Sequence, residues 1–207
     1  MTGKHHWQRS GRGKLLLAAV VALAAGAAAL GIVLSRSSPG VSLADLKRGN
    51  VVLLSAHTPK QRFAVLSHRH TNQCGLQPSS LSDIAVDGRL QGSCCSPMSY
   101  ARYRRQLRGL RQYAAVPEVP ADPYDIPVGL AKQLIAYDGE LSLTSKQQAS
   151  YDSAVKLSDR HGPCCCHCWR WTAFEGQAKE LITSRGYGAA TIARIWNLED
   201  GCGGGGA

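Results

Sequence analysis

The sequence is poor in phenylalanine, with two among 207 residues, and aromatic residues make up only 6% of the chain. Its core must therefore depend on leucine, tyrosine and tryptophan, and would gain from cross-links or bound metal. The sequence also shows no Ser/His/Asp order, no phosphate-binding loop and no paired acidic residues placed for acid–base chemistry. These absences favour a function other than catalysis, although they leave the question of an enzyme open.

Acidic residues are absent before the apolar run Leu15–Leu34, whereas four basic residues precede it. Twenty residues as a helix measure about 30 Å, the thickness of a bilayer's hydrocarbon core. The positive-inside bias then predicts a cytoplasmic tail over 1–14, a transmembrane anchor over 15–34 and an extracytoplasmic location for the rest, at the cell membrane. A cleaved signal peptide is the alternative, although its apolar region is usually shorter.

Beyond this run the charge is modest, with 20 Lys and Arg residues against 14 acidic ones. Outside a cell, this balance argues against nucleic acid as a partner. The predicted fold class is mainly α: a single N-terminal transmembrane helix, then a small Cys-rich helical extracytoplasmic domain preceded by a less regular segment in which short strands are one alternative. The predicted segments are a linker over 35–42, an irregular segment over 43–93, a helical domain over 94–200 and a flexible Gly-rich tail over 201–207.

Five helices are predicted within the domain from capping and apolar spacing. Their signals are, in chain order, Ser96 with Pro97, Pro127, Thr144 with Gln147, the stretch after Cys168 closed by Gly186, and the spacing of Ile192, Ile195 and Trp196.

Cysteine, by contrast, is concentrated. Four of the eight cysteines lie in "HGPCCCHCWRW", residues 161–171. All eight follow the predicted membrane span, and disulfides are common in oxidising compartments. Adjacent cysteines bridge each other only through a strained ring, so disulfides explain three in a row poorly.

Metal binding explains the spacing better. Cys164, Cys166 and Cys168 form two successive C-x-C pairs, and soft sulfur selects Cu(I), Zn or an iron–sulfur cluster. We predict a soft-metal site used for metal handling, with Cu(I) favoured over Zn and iron–sulfur and these three cysteines as leading ligands. The ligands of second rank are Cys165, Cys94, Cys95 and His167. The string "HRHTNQC" offers His68, His70 and Cys74 as weaker candidates, and Met98 is another.

Two cysteine segments, "GSCC" and "GPCCC", each stand just before a predicted helix. If these helices pack side by side in the same direction, their amino termini share one end, where the positive dipole favours thiolates. We therefore expect Cys94 or Cys95 to lie near the Cys164–Cys168 loop.

Two other functions compete with metal binding. One is a thiol–disulfide oxidoreductase using the C-x-x-C pair Cys165 and Cys168. The other is a disulfide-stapled interaction domain whose contact surface is a stripe of arginines: Arg102, Arg104, Arg105, Arg108 and Arg111. Covalent c-type haem is excluded because Trp169, not histidine, follows the C-x-x-C pair.

The string "PCCCHC" resembles the P-C-Y-C-G-C motif of a group of exported bacterial proteins presumed to bind metal. Pro163, Cys164, Cys166 and Cys168 occupy the matching positions, while Cys165 and His167 replace the tyrosine and the glycine. The resemblance implies metal binding and no established activity. The strings "GSCCSPMSYARY" and "GPCCCHCWRW" also resemble an uncharacterised bacterial family, from which no function follows.

Overall fold

The structure is a computed structural model that describes residues 58–204. The helices within this range are α1 (Pro59–Leu66), α2 (Tyr100–Leu110), α3 (Val128–Glu140), α4 (Ser145–Leu157), α5 (Trp169–Arg185) and α6 (Ala189–Glu199). Short 3-10 turns occupy Pro78–Leu81 and Arg111–Tyr113. Strands β1 (Arg89–Gln91) and β2 (Asp125–Pro127) pair antiparallel, with Leu90 opposite Ile126.

The core is centred on α5, whose most extensive packing is against α3. Gly176 lets the two helices approach closely, because a Cβ there would overlap the carbonyl oxygen of Leu134. Trp169, Trp196 and Phe174 are fully buried around this contact. Large aromatic side chains dominate burial energetics, so a few of them compensate for the shortage of phenylalanine. The expectation that the core depends on tryptophan, tyrosine and leucine is confirmed.

A smaller apolar cluster joins the amino-terminal part of the described chain to α2. It consists of Leu66, Met98, Tyr103 and Tyr124, with Phe63 packed at its edge. The Tyr103 hydroxyl donates to the buried carboxylate of Asp122 at 2.6 Å, which satisfies both polar groups. This cluster fixes α1 on α2, and the loop after α1 carries Cys74 towards the other cysteines.

The predicted fold class needs correction in its membrane part. No helix within residues 58–204 is long and apolar enough to cross a membrane. The longest, α5, has 17 residues and carries charged side chains along its length. The run Leu15–Leu34, on which the predicted span was based, lies outside the described residues. The predicted cytoplasmic tail over 1–14 and the predicted linker over 35–42 lie outside them as well. The described part is mainly helical.

Local signals predicted most helices correctly and one segment wrongly. Thr144 and Gln147 form the capping box of α4, and Gly186 adopts φ 64° at the carboxyl end of α5. The apolar string "RFAVLSH" was compatible with a strand but lies largely in α1, because Thr58 and Gln61 form a capping box with Pro59 at the first position. Helix α2 begins at Tyr100 rather than at Ser96.

Candidate metal centre

All eight cysteines are brought to one region by four segments far apart in the chain. The sulfurs of seven of them form a continuous network in which neighbouring atoms lie 2.7–3.8 Å apart. The eighth, Cys168, forms a side-chain hydrogen bond with Cys164. The contributing segments are the loop with Cys74, the loop with Cys94 and Cys95, the loop 164–168 before α5, and Cys202 after α6.

A buried asparagine holds three of these segments together. The side chain of Asn72, which is 1% exposed, donates to the carbonyl of Gly92 at 2.9 Å. Its amide oxygen accepts from the indole nitrogen of Trp169 at 3.2 Å. The backbone N–H of Trp169 in turn donates to Leu76 at 2.9 Å. The Cys74 loop, the Cys94–Cys95 loop and the start of α5 are therefore fixed relative to each other.

Backbone hydrogen bonds of the segment 201–204 determine the position of Cys202. Three backbone hydrogen bonds join this segment to the loop before α2. The N–H of Cys94 donates to the carbonyl of Gly201 at 3.0 Å, that of Ser96 to the carbonyl of Cys202 at 2.9 Å, and that of Gly204 to the carbonyl of Pro97 at 2.8 Å. The N–H of Cys202 is also satisfied by the side chain of Asp200 at 2.9 Å. Because its backbone is paired along this length, the segment buries Cys202 to 3% exposure.

The cluster has a buried half and an exposed half. The inner sulfurs are those of Cys94, Cys164, Cys168 and Cys202, of which all but Cys94 are buried. The outer sulfurs are those of Cys74, Cys95, Cys165 and Cys166, of which Cys95 and Cys165 are exposed. Two contacts join the halves: Cys94 to Cys95 at 3.4 Å and Cys165 to Cys202 at 2.7 Å.

Three overlapping groups of sulfurs could each hold a metal ion, with all sulfurs of a group within 4.8 Å of one another. The groups are Cys74–Cys94–Cys95, Cys94–Cys164–Cys202 and Cys95–Cys165–Cys202. Each pair of groups shares one residue, so Cys94, Cys95 and Cys202 each belong to two groups. A thiolate that belongs to two groups can bridge the two metal ions that those groups would hold.

The sulfur separations of the inner group are compatible with metal ligation. A disulfide bond measures about 2.05 Å, and all eight thiols are free. Two sulfurs bound to one ion at about 2.3 Å lie about 3.8 Å apart at a tetrahedral angle and about 4.0 Å apart at a trigonal one. Cys94–Cys202 at 3.8 Å and Cys164–Cys202 at 3.6 Å are close to these values. Cys165–Cys202 at 2.7 Å and Cys74–Cys95 at 2.8 Å are shorter, so those sulfurs would have to move apart to bind one ion.

Among the inner sulfurs, that of Cys164 is the one whose ionised form is favoured. Its pKa is lowered because the thiols of Cys168, Cys202 and Cys94 direct hydrogen bonds at its sulfur and because Arg170 is near. The donors show the reciprocal effect: donation to Cys164 raises the pKa of Cys94 to about 12, and also raises the pKa of Cys202 and of Cys168. Hydrogen bonds among the inner sulfurs therefore favour ionisation at Cys164 over its three neighbours.

The outer thiols differ in that desolvation is the leading cause of their shifts. Partial burial among neighbouring sulfurs raises the pKa of Cys95, with a further contribution from its hydrogen bond to Cys74. The pKa values of Cys165 and Cys166 are raised for the same leading reason. Metal binding would have to displace protons from these thiols, so loading of this half is expected to depend on pH.

The structure sorts the predicted ligands into two sets. Cys94, Cys95, Cys164, Cys165 and Cys166 lie in the sulfur network. Cys168 caps α5 and contacts Cys164 but belongs to none of the three groups. Cys165 contacts the sulfurs of Cys95, Cys166 and Cys202, so the C-x-x-C pair of the predicted oxidoreductase is not brought together.

The histidines and the methionine lie elsewhere. The ring of His167 stacks on Trp171 with centroids 3.9 Å apart. His68 and His70 are exposed and belong to none of the three groups. Met98 is buried in the small apolar cluster.

Of the network members, Cys202 was not among the predicted ligands, and Cys74 was only a weaker candidate. Their sequence signal was weak, since each is an isolated cysteine. A glycine on both sides of Cys202 was nevertheless compatible with tight backbone pairing as well as with flexibility.

The expectation that Cys94 or Cys95 approaches the Cys164–Cys168 loop is confirmed, since Cys95 lies 3.3 Å from Cys166. The predicted cause is wrong, because α2 packs on α1 and α6 rather than side by side with α5.

Comparisons with protein-family models, with curated proteins and with solved structures find no match for this chain. The resemblance of "PCCCHC" to the P-C-Y-C-G-C motif therefore stays a prediction.

Proposed function

We propose that this protein handles Cu(I) by holding up to three ions in one polynuclear thiolate cluster. The observation that carries the proposal is the set of three sulfur groups that share Cys94, Cys95 and Cys202 pairwise. Three bridging thiolates and three terminal ones, from Cys74, Cys164 and Cys165, would give each ion three sulfur ligands.

The number of ligands in each group supports Cu(I) over zinc. Structural zinc takes four ligands in a tetrahedron, whereas soft thiolate ligands select Cu(I), which a three-sulfur group can hold. The surrounding structure adds no histidine or carboxylate to any of the three groups. The role would be storage or transfer of copper. The extracytoplasmic location stays a prediction from the sequence.

Anaerobic titration of the reduced full-length chain with Cu(I) tests the proposal. About three equivalents should bind, with the luminescence of a shielded Cu(I)–thiolate cluster. The triple variant Cys94→Ser, Cys95→Ser and Cys202→Ser should bind none tightly, because it removes all bridging sulfurs. His167→Ala is the matched control, since His167 lies in the same loop yet outside the three groups, and it should retain about three equivalents.

A disulfide-stapled domain is the second candidate, favoured by the two shortest sulfur contacts. Cys165 lies 2.7 Å from Cys202, and Cys74 lies 2.8 Å from Cys95. Intact-mass measurement after thiol blocking separates the two functions. Protein isolated without bound metal, with no free thiol and with its bridges closed, would replace the copper proposal with this one.

A further inference from the structure

Arg170, the second residue of α5, carries a charge that the protein itself does not neutralise. Its side chain is 0% exposed. Nη2 donates to the carbonyl oxygens of Pro123, at 2.8 Å, and of Glu199. Nε and Nη1 have no hydrogen-bond partner among the described residues. A buried guanidinium with two unused donor atoms is costly unless an anion lies near it.

The carboxylates around Arg170 do not supply that anion. Asp200 is already paired with Arg102 at 2.5 Å and with Arg160 at 2.9 Å. Glu199 is fully buried, and desolvation raises its pKa to about 8, so it is mostly protonated at neutral pH. No ion pair of Arg170 with a carboxylate occurs in residues 58–204.

The inner half of the cluster flanks Arg170 on two sides: Arg170 follows Cys168 by two residues, and its guanidinium packs against Gly201, the residue before Cys202. A Cβ on Gly201 would lie 2.6 Å from the Cζ of Arg170. The rings of Trp169 and Phe174 pack on the same guanidinium, at 5.7 Å and 4.9 Å from Cζ, and hold it in place.

We propose that Arg170 is the built-in countercharge of the metal–thiolate cluster. This inference rests on the proposed function and deepens it. Three Cu(I) ions bound by six thiolates carry a net charge of about −3, and such a charge is expensive next to a dry core. A fixed cation behind the inner sulfurs lowers that cost without entering the coordination sphere. Arg170 therefore acts as a positioning residue that sets the affinity of the cluster for a metal of low charge.

Three variants of the full-length chain test this role: Arg170→Gln, Arg170→Lys and, as control, Arg185→Gln. Arg185 ends the same helix and pairs with Glu118 at 3.0 Å, far from the sulfurs. Cu(I) affinity is measured anaerobically by competition with a coloured Cu(I) chelator, and helicity is checked by circular dichroism. We expect Arg170→Gln to weaken Cu(I) binding about tenfold or more, Arg170→Lys to recover most of the loss, and Arg185→Gln to match the wild type.

The lysine variant separates charge from architecture. Lysine keeps the charge but cannot reproduce the planar donor fork. A purely structural role would therefore leave Arg170→Lys as weak as Arg170→Gln, which would overturn the inference, as would wild-type affinity in a folded Arg170→Gln. If Arg170→Gln does not fold, the folded Arg170→Lys decides: wild-type affinity supports the countercharge, and its loss refutes it. A wild-type chain that binds no Cu(I) would instead overturn the proposed function.

Discussion

The inner and outer halves of the cluster use the same chemical group in opposite environments. Inner Cys164 and Cys202 are 1% and 3% exposed, and hydrogen bonds from neighbouring thiols lower the pKa of Cys164. Outer Cys95 and Cys165 are exposed, and desolvation disfavours their ionised forms. If the cluster binds metal as proposed, burial of the inner half favours retention of an ion, whereas exposure of the outer half favours its exchange.

Under the proposed function, the contacts between the halves would give a bound ion a route from one to the other. Cys95 and Cys202 belong to the same group, although one is exposed and the other is buried. An ion could therefore move inward by replacing one thiolate at a time, without a fully unligated intermediate. Exchange with an external thiol would begin at Cys95 or Cys165.

The largest effect is expected from a pair of neighbouring substitutions, Cys164→Ser and Cys165→Ser. Each removes the terminal sulfur of one group, but only Cys164 is buried and accepts hydrogen bonds from three thiols. Cys164→Ser should weaken the tightest Cu(I) binding about 100-fold or more, whereas Cys165→Ser should mainly lose the most labile equivalent. Chelator competition measures the affinities. Equal losses in the two variants would show that the halves do not differ.

Structural features that depend only on residues close together in the chain could be predicted from the sequence. The capping box at Thr144 and the glycine stop at Gly186 were sufficient to place α4 and the end of α5. The approach of Cys95 to the Cys164–Cys168 loop also followed from sequence, although for a wrong reason. Cys202 could not be assigned, because its position depends on backbone pairing between residues about a hundred positions apart, and no local pattern encodes that pairing. The position of Cys74 likewise depends on distant residues, because the neighbouring Asn72 is held by hydrogen bonds to Gly92 and Trp169.

Glu199, a fully buried residue at the end of α6, should make the free energy of unfolding depend on pH. In the unfolded chain its pKa is near 4.5, and in the folded protein it is about 8. Between these values the unfolded chain releases a proton that the folded protein keeps, so stability falls as pH rises from about 4.5 to 8. Glu199→Gln should remove this slope and gain on the order of a few kcal/mol near pH 7.5.

Urea unfolding of the reduced, metal-free protein between pH 5 and 7.5 measures this effect. Glu140→Gln, an exposed substitution at the end of α3, is the matched control and should retain the wild-type slope. An unchanged slope in Glu199→Gln would mean that another group is responsible for it.

The segment that supplies Cys202 can be displaced without touching a sulfur. Gly203 and Gly204 both have φ 77°, but only at Gly203 would a Cβ overlap backbone, at the carbonyl of Ser96. Gly203→Ala should cost about 1–3 kcal/mol of unfolding free energy and reduce Cu(I) affinity, since Cys202 must move. Gly204→Ala should cost about 1 kcal/mol and keep the affinity. Thermal unfolding and chelator competition, run on both variants, test whether pairing of 201–204 positions the inner half.

The smallest effect is expected at His167, which lies among the cysteines in sequence but outside both halves in space. Its ring stacks on Trp171 with the planes 24° apart, and it belongs to none of the three sulfur groups. His167→Ala should therefore leave the number of bound Cu(I) ions unchanged and cost about 0.5–1 kcal/mol of unfolding free energy through the lost stack. His167→Phe, which can keep the stack but cannot ligate, should restore that stability at the same metal content. If both variants instead lose one equivalent of copper, the imidazole is a ligand of the outer half, and the division by sulfur exposure alone is incomplete.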